Sequence, residues 1–327
     1  MRPRIFVTQP IAQDAVDMMR TVADVEVHPD ATAPIAKATM IEGVKRADVL
    51  VCLMHDTVDA DVIAANPNLK GIAWMGIHPQ LIDIKAMERR GIPLTNIPPM
   101  VSEATADMAM ALILACARRV LEGDRLVRAG IYPGGQSNYL AGLGVTGKTI
   151  GLIGGGGRIG RLVAKRCNGF DMRVLYSTPR RKPEAEEREW GLTYASIDDL
   201  LKESDIVSVH SPLRDDTYHS IGAREFALMK PTAYFVNTSR GPIVDEPALV
   251  AALQNGTIAG AGLDVFEHEP HVPAELLAMG NVVLTPHLGS AVADLRAAMA
   301  RIVAENAVAL ATGATPPNLF DFAGPTT

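Results

Sequence analysis

Gly151-Leu152-Ile153-Gly154-Gly155-Gly156-Gly157-Arg158-Ile159-Gly160 is the stretch on which the reading of the fold turns. It closes an apolar run of strand length, Lys148 to Ile153, and opens a segment of helical pattern. Within it Gly155, Gly157 and Gly160 spell G-x-G-x-x-G. The first glycine permits a tight turn, the second lets the backbone approach a pyrophosphate, and the third lets helix pack on strand, so that the helix N-terminus faces an anion. Arg158 and Ile159, between the last two glycines, belong to the same candidate cofactor site.

Downstream, the next strand ends at Tyr176-Ser177-Thr178-Pro179-Arg180-Arg181-Lys182. A site that reads an unmodified ribose has a carboxylate there, about 20 residues beyond the glycines, to bind the 2'-hydroxyl. None is present. Ser177, Thr178, Arg180 and Arg181 instead suit a 2'-phosphate, because guanidinium forks bind phosphate bidentately. The expected cofactor is NADP, with NADPH preferred and NAD as the alternative. The bland reading is a solvated basic loop balanced by Glu184, Glu186 and Glu187.

Strand-length runs alternate with amphipathic segments over the whole chain, which predicts an α/β fold. One series is Arg4 to Thr8, Val22 to Val27, Val49 to Met54, Gly71 to Met75 and Ile92 to Asn96, with Gly91 as a helix C-cap. A second series runs from Lys148 to Ile153 through Met172 to Tyr176, Asp205 to His210, Ala233 to Asn237, Ile258 to Asp264 and Val282 to Thr285. Between them, Ser102 to Ala129 reads as one long connecting helix with Ser102 as its N-cap, and an Ala-rich helix, Ala291 to Ala311, is expected to return to the first series. The expectation is two Rossmann-like or flavodoxin-like doubly wound parallel-sheet domains with a cleft between them. Residues 1–99 plus 288–327 would form the substrate-binding, flavodoxin-like domain, and residues 100–287 the dinucleotide-binding Rossmann domain.

The chain's 327 residues, 48% hydrophobic and 21% charged, are of ordinary globular composition, and the net charge of -6 argues against a nucleic-acid partner. The longest apolar run, Met108 to Ala117, is too short to span a membrane. Met1 to Pro10 lacks the apolar core of a signal peptide, so the expected location is cytoplasmic. Cys52, Cys116 and Cys167 sit in apolar segments and read as buried reduced thiols.

Three further segments follow apolar runs in the second series: Asn237 to Asp245, Gly262 to Pro270 and Leu284 to Ser290. Strand carboxyl ends line the crevice of an open parallel sheet, so Arg240, Glu269 and His287 can converge there. His268-Glu269-Pro270-His271 is not expected to hold metal, since Pro270 forbids the regular helix that would put two histidines on one face.

With Thr95-Asn96-Ile97-Pro98, Glu103 to Asp107, Gly147 to Gly151 and Thr285-Pro286-His287, these segments resemble the D-isomer-specific 2-hydroxyacid dehydrogenase family over nearly the whole length. The resemblance implies that Arg240 holds the carboxylate and carbonyl of a small-molecule 2-oxo acid, that His287 is the general acid and base, and that Glu269 orients it. It also implies that Asp264 holds the nicotinamide carboxamide, that Thr105 and Thr238 line the cofactor, and that the chain is a homodimer through its helical connector. The basic loop is similar to that of NADPH-preferring glyoxylate and hydroxypyruvate reductases. Competing readings are a formate- or phosphite-type oxidoreductase on the same fold, and a corepressor-like nucleotide-sensing scaffold, against which stands the short tail, Ala323 to Thr327.

One segment departs from the family. Ile77-His78-Pro79-Gln80 stands where a glycine usually offers its N–H to the substrate carboxylate, and the glycine is replaced by His78. Met54 and His55 fall on the neighbouring substrate-facing loop, and Tyr139 is a further substrate candidate. Two imidazoles there would suit a longer, hydroxylated acid such as a sugar-derived 2-keto acid.

Overall fold

The structure, a computed structural model, describes residues 2–79 and 81–322. Met1, Gln80 and the tail 323–327 lie outside the described residues. The chain forms two units, Met1–Met100 with Ala291–Thr327, and Val101–Ser290.

The first unit is built from β1 (Arg4–Val7), α1 (Gln13–Arg20), β2 (Asp24–Val27), α2 (Lys37–Arg46) and β3 (Val49–Leu53). It continues with α3 (Ala60–Ala64), β4 (Gly71–Met75), α4 (Ile84–Arg90) and the short β5 (Leu94–Thr95). The strands form one parallel sheet in the order β2-β1-β3-β4-β5. Every residue of β3 and β4 is buried, the signature of a sheet covered on both faces. Burying a Val or Leu side chain such as Val51 or Leu50 contributes on the order of 1.5 to 3 kcal/mol. Phe6, Met40, Ile63, Trp74 and Met87 fill one face. Leu310 of the C-terminal helix, Ala293–Thr312, lies so close to β4 that a Cβ on Gly71 would stand 2.6 Å from it. Asp59 and Asp83 cap α3 and α4 by accepting backbone N–H groups. Gly91, at φ +61°, closes α4 in the left-handed conformation that glycine adopts without strain.

In the second unit α5 (Ser102–Ala117) and α6 (Val120–Arg128) precede β6 (Thr149–Ile153), α7 (Arg158–Asn168), β7 (Arg173–Ser177) and α8 (Glu184–Trp190). Then follow β8 (Thr193–Tyr194), α9 (Ile197–Glu203), β9 (Ile206–Val209), α10 (Ala223–Leu228) and β10 (Tyr234–Asn237). The unit ends with α11 (Glu246–Gln254), β11 (Gly260–Leu263), α12 (Ala274–Ala278) and β12 (Val282–Leu284). Its sheet is parallel throughout, in the order β12-β11-β10-β9-β6-β7-β8. Helices α5 and α7 cover one face through Ala109, Ile113, Val163 and Cys167, and α9, α10 and α11 the other through Leu200, Phe226 and Leu249. The chain moves outward from β6 in one direction and from β9 in the other. The carboxyl ends of β6 and β9 therefore flank a topological switch point, where an open α/β sheet leaves its ligand crevice.

Three expectations are corrected. The connector is two helices, not one from Ser102 to Ala129: the Ala117 carbonyl accepts Leu143 N–H at 2.7 Å, and Arg119 turns to φ +52°, which breaks the helical ladder. Ser102 is the first helical residue, and Val101 precedes it without a side-chain cap. The carboxylates that would balance a solvated basic loop are not all solvated, because Glu187 is buried. Among the described residues no helix is long and apolar enough to cross a membrane.

Candidate functional site

At the end of β6 the chain turns on Gly154, whose φ of +81° and packing leave no room for a side chain: a Cβ would meet the His210 carbonyl carbon and the Ser211 nitrogen at 2.7 Å. Gly154 N–H donates to the Ser177 carbonyl at 2.8 Å, which ties the loop to the end of β7. At Gly160 a Cβ would stand 2.5 Å from Gly155 Cα, so helix and turn are in backbone contact. Gly157 flanks the first residue of α7, Arg158, and both are exposed. The first N–H groups of an α-helix such as α7 have no partner within the helix, and a helix N-terminus after a glycine turn at the switch point is the kind of cradle that suits a pyrophosphate. One more observation fits a dinucleotide: the Thr238 hydroxyl, at the end of β10, is buried without a hydrogen-bond partner. Ile159 faces the other way and packs on the core.

The basic loop after β7 sorts its cations. Arg181 is held by Glu187, with Nε and Nη2 each donating at 2.8 Å, and the Tyr176 hydroxyl donates to the same carboxylate at 2.7 Å. These bonds, Arg181 first and Tyr176 second, pull the Glu187 carboxyl down to about 2 despite its burial. Burial and the Glu187 contact push the Tyr176 phenol up to about 12. Lys182 donates its backbone N–H to the Tyr176 oxygen at 2.8 Å and lays its stem over the glycine loop, where a Cβ on Gly156 would meet Lys182 Cε at 2.9 Å. Thr178 donates its hydroxyl to the Arg180 carbonyl, and Arg180 itself is exposed. Arg181, expected to share a 2'-phosphate with Arg180, is thus engaged with a carboxylate of its own unit. Lys182 stands beside the cradle instead.

The ends of β10, β11 and β12 bring together the remaining groups. Asn237 Nδ2 donates to the Arg240 carbonyl at 3.0 Å, and Asn237 Oδ1 accepts Ser239 N–H at 2.9 Å, which shapes the turn that presents Arg240. Burial pulls the Arg240 guanidinium below its ordinary value, with the charge of Glu269 opposing. A guanidinium stays protonated nevertheless, and a partly desolvated cation favours an anionic ligand. Glu269 Oε1 accepts Phe266 N–H at 3.1 Å, and Oε2 lies 2.8 Å from His287 Nδ1. Burial alone would raise the Glu269 carboxyl. The bond to His287, its charge, the Phe266 N–H and Arg240 together hold it below its usual range. With Nδ1 engaged, Nε2 is the remaining ring nitrogen of His287.

Asp264, which the resemblance assigns to the nicotinamide carboxamide, has a visible structural task that no spacing in the sequence signals. Its carboxylate accepts Leu288 N–H at 2.7 Å, Gly289 N–H at 2.8 Å and the Thr285 hydroxyl at 2.7 Å. His287 N–H donates to the Asp264 carbonyl at 2.9 Å, and His287 is held at φ +54°. The buried aspartate therefore sets the loop that carries the histidine. Thr105 joins the same loop through the Gly289 carbonyl at 3.4 Å. Tyr139 lies in the exposed stretch between α6 and β6, with its N–H donating to Gln136.

Met54, His55, Ile77 and His78 belong to the first unit, at the carboxyl ends of β3 and β4. Buried Asp56 shapes the first loop by accepting Leu53 N–H at 2.7 Å and the Thr8 hydroxyl, and His55 Nε2 lies 3.8 Å from it. Asn96 shapes the second by donating to the Ile77 carbonyl at 2.9 Å.

Residues 110–289 match the family model for the D-isomer specific 2-hydroxyacid dehydrogenase, NAD binding domain. The chain is 46% identical to a glyoxylate reductase of Thermococcus litoralis over 325 residues, 98% of this chain and 97% of that protein. It is 46% identical to a glyoxylate reductase of Korarchaeum cryptofilum over 323 residues, 98% of this chain and 96% of that one. Among solved structures it is similar to an NADPH-dependent glyoxylate/hydroxypyruvate reductase from Sinorhizobium meliloti in complex with NADP and malonate, with a TM-score of 0.76, 32% identity and 98% of each chain covered. A glycine cradle at the switch point, a half-buried arginine and a carboxylate-held histidine on one sheet edge, and these similarities over nearly the full length lead to one conclusion: the chain belongs to the D-isomer-specific 2-hydroxyacid dehydrogenase family and is an oxidoreductase.

Proposed function

We propose that this chain reduces a small 2-oxo acid, glyoxylate or hydroxypyruvate, to the D-2-hydroxy acid with NADPH, and that His287 is the proton donor. The observation that carries the reading is His287 Nδ1 held 2.8 Å from Glu269, which leaves Nε2 for substrate, with half-buried Arg240 close enough for its charge to act on Glu269. Arg240 would bind the carboxylate and draw electron density from the carbonyl oxygen. His287 would give its Nε2 proton to that oxygen as negative charge develops, and Glu269 would stabilise the imidazolium before transfer and fix the ring afterwards. Gly155, Gly157, Arg158 and Gly160, with Ser177, Thr178, Thr105, Thr238 and Asp264, would hold a reduced nicotinamide dinucleotide, which would supply the hydride.

Preference for NADPH is supported by the missing carboxylate at Thr178, by exposed Arg180 and by Lys182 over the glycine loop. The relatives' names support glyoxylate and hydroxypyruvate. His55 and His78 are assigned to recognition of the substrate beyond its carboxylate. A homodimer is supported by α6, which buries none of its residues, and by the exposed Val120, Val127, Ile131 and Tyr132. Three buried free thiols suit the reducing cytoplasm. The test is steady-state turnover of a panel of 2-oxo acids with NADPH and NADH; no oxidation of either cofactor by any of them would overturn the reading.

A further inference from the structure

Three segments at strand ends of the second unit meet at Glu267, a residue to which the proposed reaction assigns no role. Its side chain is only 8% exposed, and Oε1 lies 2.6 Å from Nε2 of His219, on the loop after β9. Its Oε2 accepts Glu246 N–H at 3.2 Å, while Glu246 Oε1 accepts Glu267 N–H at 3.2 Å, so the first residue of α11, where the loop after β10 ends, and the loop after β11 are bonded reciprocally. Where they cross, a Cβ on Gly241 would stand 1.9 Å from the Phe266 carbonyl oxygen. No slack is left at that crossing. His219 is itself held at φ +48°, an uncommon conformation for a residue with a side chain, by donating its N–H to the Pro242 carbonyl at 2.9 Å and by stacking on Tyr218 at 4.0 Å.

Arg240 is the residue before Gly241, and Glu269 takes the N–H of Phe266. Both ends of this clamp thus abut groups assigned to the reaction. We infer that the His219–Glu267 pair is a positioning device that sets the register of the Arg240 loop against the Glu269 loop. This rests on the assignment of Arg240 and Glu269 to the reaction. A displacement of such groups by about 1 Å can cost up to about a hundredfold in rate, whereas the glycine cradle at β6 shares none of these bonds. Loss of the clamp should fall on the acid substrate far more than on the cofactor, since of the residues assigned to the cofactor only Thr238 and Asp264 lie on the clamped loops.

The experiment compares His219→Ala, His219→Gln, Glu267→Gln and the double variant His219→Ala/Glu267→Gln with the wild type. It measures kcat and KM for glyoxylate, and NADPH binding by protein fluorescence. The expected result is a roughly 10- to 100-fold loss of kcat/KM in His219→Ala, through a raised KM and a lowered kcat, with the NADPH Kd within about twofold. His219→Gln, which keeps a donor, should recover most of the loss, and the double variant should be no worse than the poorer single one, since both break one contact. Unchanged glyoxylate kinetics in His219→Ala, or equal weakening of glyoxylate and NADPH, would overturn the proposal. Should His219→Ala fail to fold, Glu267→Gln and His219→Gln decide by the same split. Arg240→Ala separates the two levels: wild-type turnover in it removes the assignment of the site, whereas lost turnover in it with normal His219→Ala removes the clamp alone.

Discussion

Arg180 and Arg181 are neighbours of identical chemistry, and the structure predicts opposite consequences for removing them. The Arg181 guanidinium donates twice at 2.8 Å to Glu187, whose carboxylate also takes the Tyr176 hydroxyl. To serve a 2'-phosphate it would have to leave a buried carboxylate with an unpaired charge, so its removal should act on the fold of the loop. Arg180 is exposed and carries no such commitment. A charge-assisted hydrogen bond contributes about 1.5 to 3 kcal/mol, which corresponds to roughly 10- to 150-fold in affinity. Arg180→Ala should therefore raise the NADPH Kd by that factor and leave NADH within about twofold, and Lys182→Ala should shift the same ratio in the same direction. Arg181→Ala should lower Tm while the ratio of NADPH to NADH affinity changes by less than about threefold. Titrating both cofactors against the three variants, with a melting curve for each, reads all of this. If Arg181→Ala abolishes the preference and Arg180→Ala does not, the reasoning from the Glu187 contact is refuted.

His287→Ala should lower kcat by about a hundredfold or more with nearly unchanged cofactor affinity, since general acid catalysis is lost while the cradle is intact; near wild-type turnover would take His287 out of the mechanism. The Glu187 carboxyl is held at about 2 in the folded chain against an ordinary 4.5, so its contribution is complete above pH 4.5 and disappears as pH falls from there toward about 2. The stability gap between wild type and Glu187→Gln in urea unfolding should accordingly narrow across that interval, and a gap constant down to pH 2.5 would contradict the pairing. His78→Gly should lower kcat/KM on a long hydroxylated acid such as 2-keto-gluconate relative to glyoxylate, because a polar group matched to a substrate hydroxyl discriminates by far more than a methylene does; an unchanged ranking of the two acids would show that His78 faces solvent.

Much of the architecture was legible because it is local in sequence. The G-x-G-x-x-G turn, the apolar runs of β3, β4 and β6 and the capping glycine Gly91 each follow from neighbours a few residues apart, through turn geometry and the demand of a covered parallel sheet for continuous burial. Arg240, Glu269 and His287 were legible as candidates for a related reason: each follows an apolar run, and strand ends of a parallel sheet share one edge. The break at Arg119 had no such signal. It arises because Leu143, far along the chain, takes the Ala117 carbonyl, and helical propensity alone cannot register a competing donor.

Side-chain commitments across loops were decided only by the tertiary structure. Composition places three cations after Thr178 but does not say that Glu187, on the next helix, claims Arg181 and leaves Arg180 exposed. Likewise Asp264 reads as a cofactor ligand from the resemblance, while in space it gathers the N–H groups of Leu288 and Gly289 and so holds the His287 loop. The physical reason is common to these cases. Secondary structure depends on short-range sterics and periodic burial, which a linear sequence records. Which of two equivalent charges meets a partner depends on distances of a few ångströms between segments far apart in the chain, and those exist only once the sheet has brought the strand ends together.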